Sequence, residues 1–328
     1  MSAADTTTTA KVPPPRQPPP PAVANKPSRG RTSRGASTPW LLLAPCLLVL
    51  GLVMGYPLVR LVTLSFQKFG QSQLWGFQPA EWVGFDNFTG VLNDGEFWQV
   101  VLRTILFAGG AVVLTMVLGM LIALLLQRVS GWVKTLVNIV LVASWGMPII
   151  VATTVFKWLF DADYGILNAL LSKLPGVELI GHNWFASGPQ GLAVIMLLVV
   201  WGAVPFVVIT LSAGLTQVPG ELEEAARLDG AGAWGVFRYV TLPILKPIIV
   251  MLTTLSVIWD MGVFPQVFVM RNGHPEAEFQ LLTTYSYDRA FVVSDYAQGS
   301  AIALITVLLL LGVVAVYMRQ MLKIGEVE

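Results

Sequence analysis

Residues 218–247 read VPGELEEAARLDGAGAWGVFRYVTLPILKP. Pro219-Gly220 is a start signal, and Glu221 to Leu228 are good helix formers with acids in the first turn, where the helix dipole favours negative charge. Asp229-Gly230 breaks that helix, Ala231 to Val240 can form a second one, and Leu242-Pro243 turns the chain toward the next apolar run. The product is a short helix–turn–helix held between two such runs, Leu192–Leu215 before it and Pro247–Met270 after it. An element tied at both ends to membrane-length segments can pass force between a bilayer and a soluble partner.

The apolar character extends through the rest of the chain. A membrane-spanning helix needs about 20 apolar residues. Besides Leu192–Leu215, uncharged runs of that kind occur at Trp40–Val59, Ile105–Leu126, Thr135–Phe156 and Ala301–Met318, and Pro247–Met270 is broken only by Asp260. The expected fold is an all-α membrane protein with six transmembrane helices. Composition agrees, because 55% of residues are hydrophobic and only 12% charged, about half the charged share of a soluble domain. Pro148, Pro205 and Pro265 sit inside these runs, where lipid tolerates them if neighbouring helices satisfy the freed carbonyls. Such kinks suit a pathway or plain packing.

Orientation follows from Lys and Arg in the connections. With the N-terminus in the cytoplasm, Lys11, Arg16, Lys26, Arg29, Arg31 and Arg34 of the tail join Arg128, Lys134, Arg227, Arg238, Lys246, Arg319 and Lys323 on that side. The opposite side holds Lys68, Arg103, Lys157, Lys173, Arg271 and Arg289 together with the acids from Glu81 to Asp295. Both termini are therefore expected in the cytoplasm and the helix–turn–helix on the cytoplasmic face. Residues 1–38, rich in Pro, Ser and Thr, are expected as a disordered cytoplasmic tail before a six-helix membrane domain over 39–328. The first apolar run is too long for a cleavable signal segment and is read as a retained helix.

Several chemistries drop out. Cys46 is the lone cysteine, and His182 and His274 lack ligand spacing, so no metal site is expected. A phosphate-binding P-loop needs Gly directly before Lys and then Ser or Thr, and no lysine here follows glycine. No catalytic residue, no nucleic-acid partner and no cofactor in this chain are expected. The external connections, residues 67–98, 160–189 and 271–297, carry Trp75, Trp82, Phe85, Phe88, Trp184 and Phe185. These aromatics suit either an interfacial belt or a docking surface for an external partner.

The helix–turn–helix resembles the EAA loop of bacterial ABC importer permeases: Glu-Ala-Ala, three residues, Gly, nine residues, an aliphatic residue, one residue, Leu-Pro. Glu224, Ala225, Ala226, Gly230, Val240, Leu242 and Pro243 stand at that spacing, with Val240 where Ile is commoner. Val83-Gly84-Phe85-Asp86-Asn87-Phe88, Phe97-Trp98 and Arg103-Thr104 resemble the first external loop of carbohydrate-importer permeases of the maltose type. Trp259-Asp260, Val263-Phe264, Gln266-Val267, Gly273, Pro275, Tyr287, Ala290-Phe291, Asp295-Tyr296 and Ser300-Ala301 continue that likeness. It is closest to the first permease of actinobacterial oligosaccharide importers.

The resemblance implies a type I importer permease fold in a bacterial plasma membrane. Its implied partners are membrane lipid, a second permease subunit, a dimer of ATP-binding subunits that bind ATP and Mg, and an external substrate-binding protein. It also implies that the loop inserts into the ATP-binding subunit, with Glu224 as polar anchor, Ala225 and Ala226 allowing close approach and Gly230 making the turn. Glu221, Asp229, Leu242 and Pro243 complete the coupling set.

Asp260 is the one ionisable group deep in an expected span, which points to function by default. A carboxylate near the outer interface, or one paired with Arg60 or Arg103, is the other reading. Sugars need hydrogen-bonding groups beside flat apolar faces, so Trp201, Trp259, Phe264, Gln266, Tyr285 and Tyr287 are pathway candidates by type and place. The rival functions are an ion-gradient-driven transporter, which would be expected to show internal repeats and several intramembrane charges, and an ABC permease for a non-sugar solute.

Overall fold

The computed structural model describes residues 38–325. The expected tail over residues 1–38 lies, Thr38 apart, outside the described residues. Contacts divide the chain into two compact units, Met1–Gly55 and Tyr56–Glu328. In the first, α1 (Thr38–Leu50) runs into a π-helical turn at Gly51–Gly55.

In the second, α2 (Tyr56–Ser65) leads to a short antiparallel ladder of β1 (Gln67–Lys68) and β2 (Glu81–Trp82), with α3 (Gln71–Leu74) between the strands and α4 (Asp86–Leu92) after them. The long α5 (Gly95–Leu126) comes next, then α6 (Gly131–Trp145), α7 (Ile149–Leu159), the short α8 (Ile166–Leu171) and α9 (Gly188–Leu215). The helix–turn–helix is α10 (Gly220–Leu228) and α11 (Ala233–Val236). The chain ends with α12 (Leu242–Met261), α13 (Pro265–Met270), α14 (Leu282–Tyr287) and α15 (Tyr296–Gly325).

Among the described residues, five helices are long and apolar enough to cross a membrane: Leu42–Ser65, Gly95–Leu126, Gly188–Leu215, Ala233–Met261 and Tyr296–Gln320. The sixth expected span, near Thr135–Phe156, is not straight. α6 and α7 meet at Gly146-Met147-Pro148 with a bend of 99°. Pro148 supplies the break, since it has no N–H to bond backward and disfavours helix at Met147. The pair still advances along one neighbour. Trp145 stacks on Phe206, Phe156 lies 5.6 Å from Trp201, and Phe160 lies 5.5 Å from Trp184, ahead of α9. Taken as one bent span, the third in chain order, the pair brings the count to six. Pro205, by contrast, is buried within an unbroken α9.

The fifth span also departs from expectation. Pro247–Met270 is the apolar run, but helix is continuous from Ala233 to Met261 and is interrupted at Gly262–Phe264 before α13. Leu242-Pro243 is thus no turn. A π-helical turn at Phe237–Thr241 widens the backbone just where the ring of Pro243 meets the carbonyl four residues back. Arg238 and Lys246 end the run on charge alone, yet their long stems let them sit on a helix that reaches the interface.

The core is the parallel pair α5 and α9. In lipid there is no water between helices to expel, so close packing across small residues holds them. A Cβ built on Gly119 falls 2.5 Å from Val207 Cγ1, too close for any real side chain. Some span hydroxyls bond their own helix, as Thr104 donates to the Val100 carbonyl at 2.8 Å and Thr210 to that of Phe206 at 2.9 Å. Gly119→Val is expected to cost about 1–3 kcal/mol by overpacking, read as a lower melting temperature of the detergent-solubilised protein. Gly109→Val, whose Cβ meets nothing within 4 Å, serves as the mild control. Equal losses from both would contradict the tight α5–α9 seam.

Candidate functional site

Two places gather the functional side chains, one at each end of α12. At its start, α10 closes with a pair of crossed hydrogen bonds. The Gly230 N–H donates to the Arg227 carbonyl and the Ala231 N–H to the Ala226 carbonyl, both at 3.0 Å. This is a Schellman cap, which puts Gly230 in the left-handed region at φ +88°. Asp229 is the residue before it, and Glu221, Glu224, Ala225, Ala226 and Gly230 all lie on this one exposed element.

No residue of α10 is buried, and large apolar groups beside it stay bare: Leu222, Leu228, Trp234 and Tyr239, with Leu228 89% exposed. Exposed apolar side chains and the acids Glu221, Glu223 and Glu224 thus share this element. α10 packs on α11 and on the π-helical turn, which run without a break into Leu242, Pro243 and the rest of α12.

At the other end of α12, a partly open cavity of about 330 Å³ lies between the α6–α7 break, α9 and the Gly262–Phe264 interruption. That volume falls among small-molecule sites. Trp201, Trp259, Asp260 and Gln266 line it together with Ser144, Trp145 and Met147. The lining rings Trp145 and Trp259 are joined through Phe206 behind them, at 5.8 Å and then 5.5 Å between rings. Asp260 is 3% exposed, and neither its Oδ2 nor Gln266 Oε1 has a hydrogen-bond partner among the described residues.

Buried polar atoms are nearly always satisfied, so two open acceptors on one cavity point to a ligand with donors. Asp260 lies one residue from the end of α12, and Arg103 instead donates to the carbonyls of Ala277 and Gln280 at 2.6 and 2.9 Å.

The other aromatic candidates lie elsewhere. Phe264 stacks on Phe268 at 5.0 Å and meets Tyr287 at 5.2 Å, in a cluster that continues through Phe291. Tyr285 is buried beside Phe97, Val100 and Ile302. Its hydroxyl donates to Asp94 Oδ2 at 2.9 Å, and Arg289 donates to that hydroxyl at 2.7 Å and to Glu96 at 3.0 Å. Burial, reinforced by the bond to Asp94 and opposed by the charge of Arg289, pushes the Tyr285 hydroxyl up to about 12. Sequence alone does not mark Ser144, Trp145 and Met147 as site residues, because they lie in an apolar run. The available signal is the Gly146-Met147-Pro148 tripeptide, where a break frees backbone and aims neighbours inward.

The family described as "Binding-protein-dependent transport system inner membrane component" matches residues 115–323. A diacetylchitobiose uptake system permease protein of Streptomyces coelicolor is 42% identical over 92% of each chain. A sulfoquinovosyl glycerol transport system permease protein of Agrobacterium fabrum is 34% identical over 85% of this chain and 88% of its own. Among solved structures, a bacterial alginate ABC transporter in complex with alginate pentasaccharide-bound periplasmic protein superposes with a TM-score of 0.72. The identity is 18%, over 87% of this chain and 94% of that one, so the likeness is one of fold.

Proposed function

The chain belongs to the family of binding-protein-dependent transport system inner membrane components, and on that premise we propose that it is the sugar-conducting permease subunit of an ATP-driven importer. The observation that carries this reading is the cavity at Asp260, with flat indole faces beside unsatisfied acceptors. Sugar presents the complement, apolar C–H faces edged by hydroxyl donors. The sugars in the names of both relatives favour the same class. Trp145 and Trp259 are 54% and 46% exposed at the rim, so one chain supplies half of the walls and a second permease closes the rest.

The remaining parts are read from that arrangement. Residues 39–328 are the permease domain, with both termini in the cytoplasm. The α10–α11 element then faces the cytoplasm, where its bare apolar patch docks a dimer of ATP-binding subunits that carry ATP and Mg. Glu221, Glu224, Ala225, Ala226, Asp229 and Gly230 make that contact, and Leu242 and Pro243 pass it to α12. An external binding protein delivers the sugar to the opposite face. ATP binding and the loaded binding protein need only prefer the outward-open state for the cycle to run.

Asp260→Ala and Gln266→Ala are each expected to lower uptake by about tenfold, the loss of one or two hydrogen bonds to substrate, while the complex stays assembled. Uptake by reconstituted vesicles, beside subunit stoichiometry on a sizing column, measures both. Wild-type uptake by both variants would remove the cavity from the pathway.

A further inference from the structure

The cavity also has a sign. We propose that it filters sugars by charge, admitting uncharged and amino sugars and rejecting anionic ones, with Asp260 as the specificity-determining residue. This deepens the reading of the cavity as a sugar pathway and rests on it.

The geometry supplies two facts. First, Asp260 and Gln266 both line the cavity, and their Oδ2 and Oε1 are buried acceptors without a partner among the described residues. A ligand satisfies them only by bringing donors, which hydroxyl, N-acyl and ammonium groups do and a carboxylate or sulfonate does not. Second, among the described residues no lysine, arginine or histidine lines the cavity. The basic side chains of the neighbouring segments are engaged elsewhere. Arg103 bonds the carbonyls of Ala277 and Gln280, Lys157 bonds Asn272, Arg271 bonds Glu276, and Arg289 bonds Asp94 and Glu96.

Where Asp260 is ionised, an anion in this cavity meets its carboxylate with no counter-charge from the described part of this chain. Two like charges about 6 Å apart in a protein interior weaken binding by roughly a hundredfold relative to a neutral ligand. An ammonium at the same place gains by a similar factor.

The test uses the complete permease–ATPase complex in nanodiscs with the external binding protein left out, so that its own selectivity does not enter. Equilibrium dialysis measures saturable binding of three radiolabelled disaccharides: neutral cellobiose, cationic chitobiose and anionic cellobiouronate. Cellobiouronate is expected to bind at least about tenfold more weakly than cellobiose, and chitobiose at least as well as cellobiose. Asp260→Asn keeps the side-chain volume and is expected to bring the three within about threefold of one another.

A neutral-to-anionic ratio that is unchanged in Asp260→Asn, as a cation from the second permease would produce, overturns the filter. So does equal binding of cellobiose and cellobiouronate by the unaltered complex. Trp201→Ala and Gln266→Ala separate the two levels. If they weaken all three sugars while Asp260→Asn leaves the ratio alone, the pathway reading stands and only the filter fails. If they change nothing, or if none of the sugars binds saturably, the cavity is no sugar site and both readings fall.

Discussion

ATP-driven uptake is expected to fall by roughly 30-fold or more when Gly230 becomes valine or Glu224 becomes alanine, in complexes that still assemble and keep their basal ATPase. The two substitutions act differently. Gly230 sits at φ +88°, where a β-branched residue is strained, and a Cβ there meets no other atom within 4 Å. The strain is therefore in the backbone, at about 1–2 kcal/mol, and it unwinds the Schellman cap rather than the bundle. Glu224 is exposed on a helix with no buried residue, so its loss changes stability by no more than about 0.5 kcal/mol. On the proposed function, what it removes is a charged anchor for the ATP-binding subunit. A graded series separates strain from bulk, because asparagine tolerates the left-handed region and valine does not: Gly230→Asn should keep most uptake, Gly230→Ala less and Gly230→Val least. Substrate-stimulated ATPase and uptake that survive Gly230→Val would sink the lever.

The lever is legible in sequence because its chemistry is local. Acids in the first turn and Asp229-Gly230 at the cap act within a few residues, and the turn forms where those residues place it. The helix beyond it is not legible in the same way. Pro243 and Pro247 read as boundaries, yet the helix runs through both, and a π-helical turn removes the clash at Pro243. Hydropathy likewise finds the third span but not its 99° bend, because apolar content carries no direction.

Of the residues singled out by type, Trp201, Trp259, Asp260 and Gln266 converge on the cavity from α9, α12 and α13. Type cannot separate them from Tyr285, an equally suitable residue. The partner that holds Tyr285 is Asp94, 191 positions away in sequence, and no local pattern encodes that pairing. Trp145 escapes a reading by type for the converse reason, since only the bend turns it from lipid toward the cavity.

That distant pairing sets the second large effect. Arg289→Leu is expected to destabilise the chain by about 2–4 kcal/mol, somewhat below the cost of breaking a fully buried pair. Arg289 donates to Asp94 at 3.2 Å, to Glu96 at 3.0 Å and to the Tyr285 hydroxyl at 2.7 Å, and its side chain is only 24% exposed. Asp94 is also the N-cap of α5, accepting from the Glu96 N–H at 2.9 Å. Removing the guanidinium leaves two carboxylates facing each other at the start of the longest span. Lysine offers one point charge in place of a planar fork and should restore less than half of the loss.

The exposed Arg227–Glu223 pair on α10, at 3.4 Å, is the internal control, and Arg227→Ala should cost no more than about 0.5 kcal/mol. The same cluster predicts a pH dependence. Burial and Asp94 raise the Tyr285 hydroxyl to about 12 in the folded chain, above its ordinary value near 10. The proton is thus held more tightly folded than unfolded, so this contribution is complete below about pH 10 and is lost as pH rises toward 12. Melting temperatures recorded from about pH 8 to 11.5 should fall over that window, and less steeply in Tyr285→Phe. If Arg289→Leu and Arg227→Ala cost the same, or Tyr285→Phe leaves the alkaline slope unchanged, the cluster does not pin the head of α5.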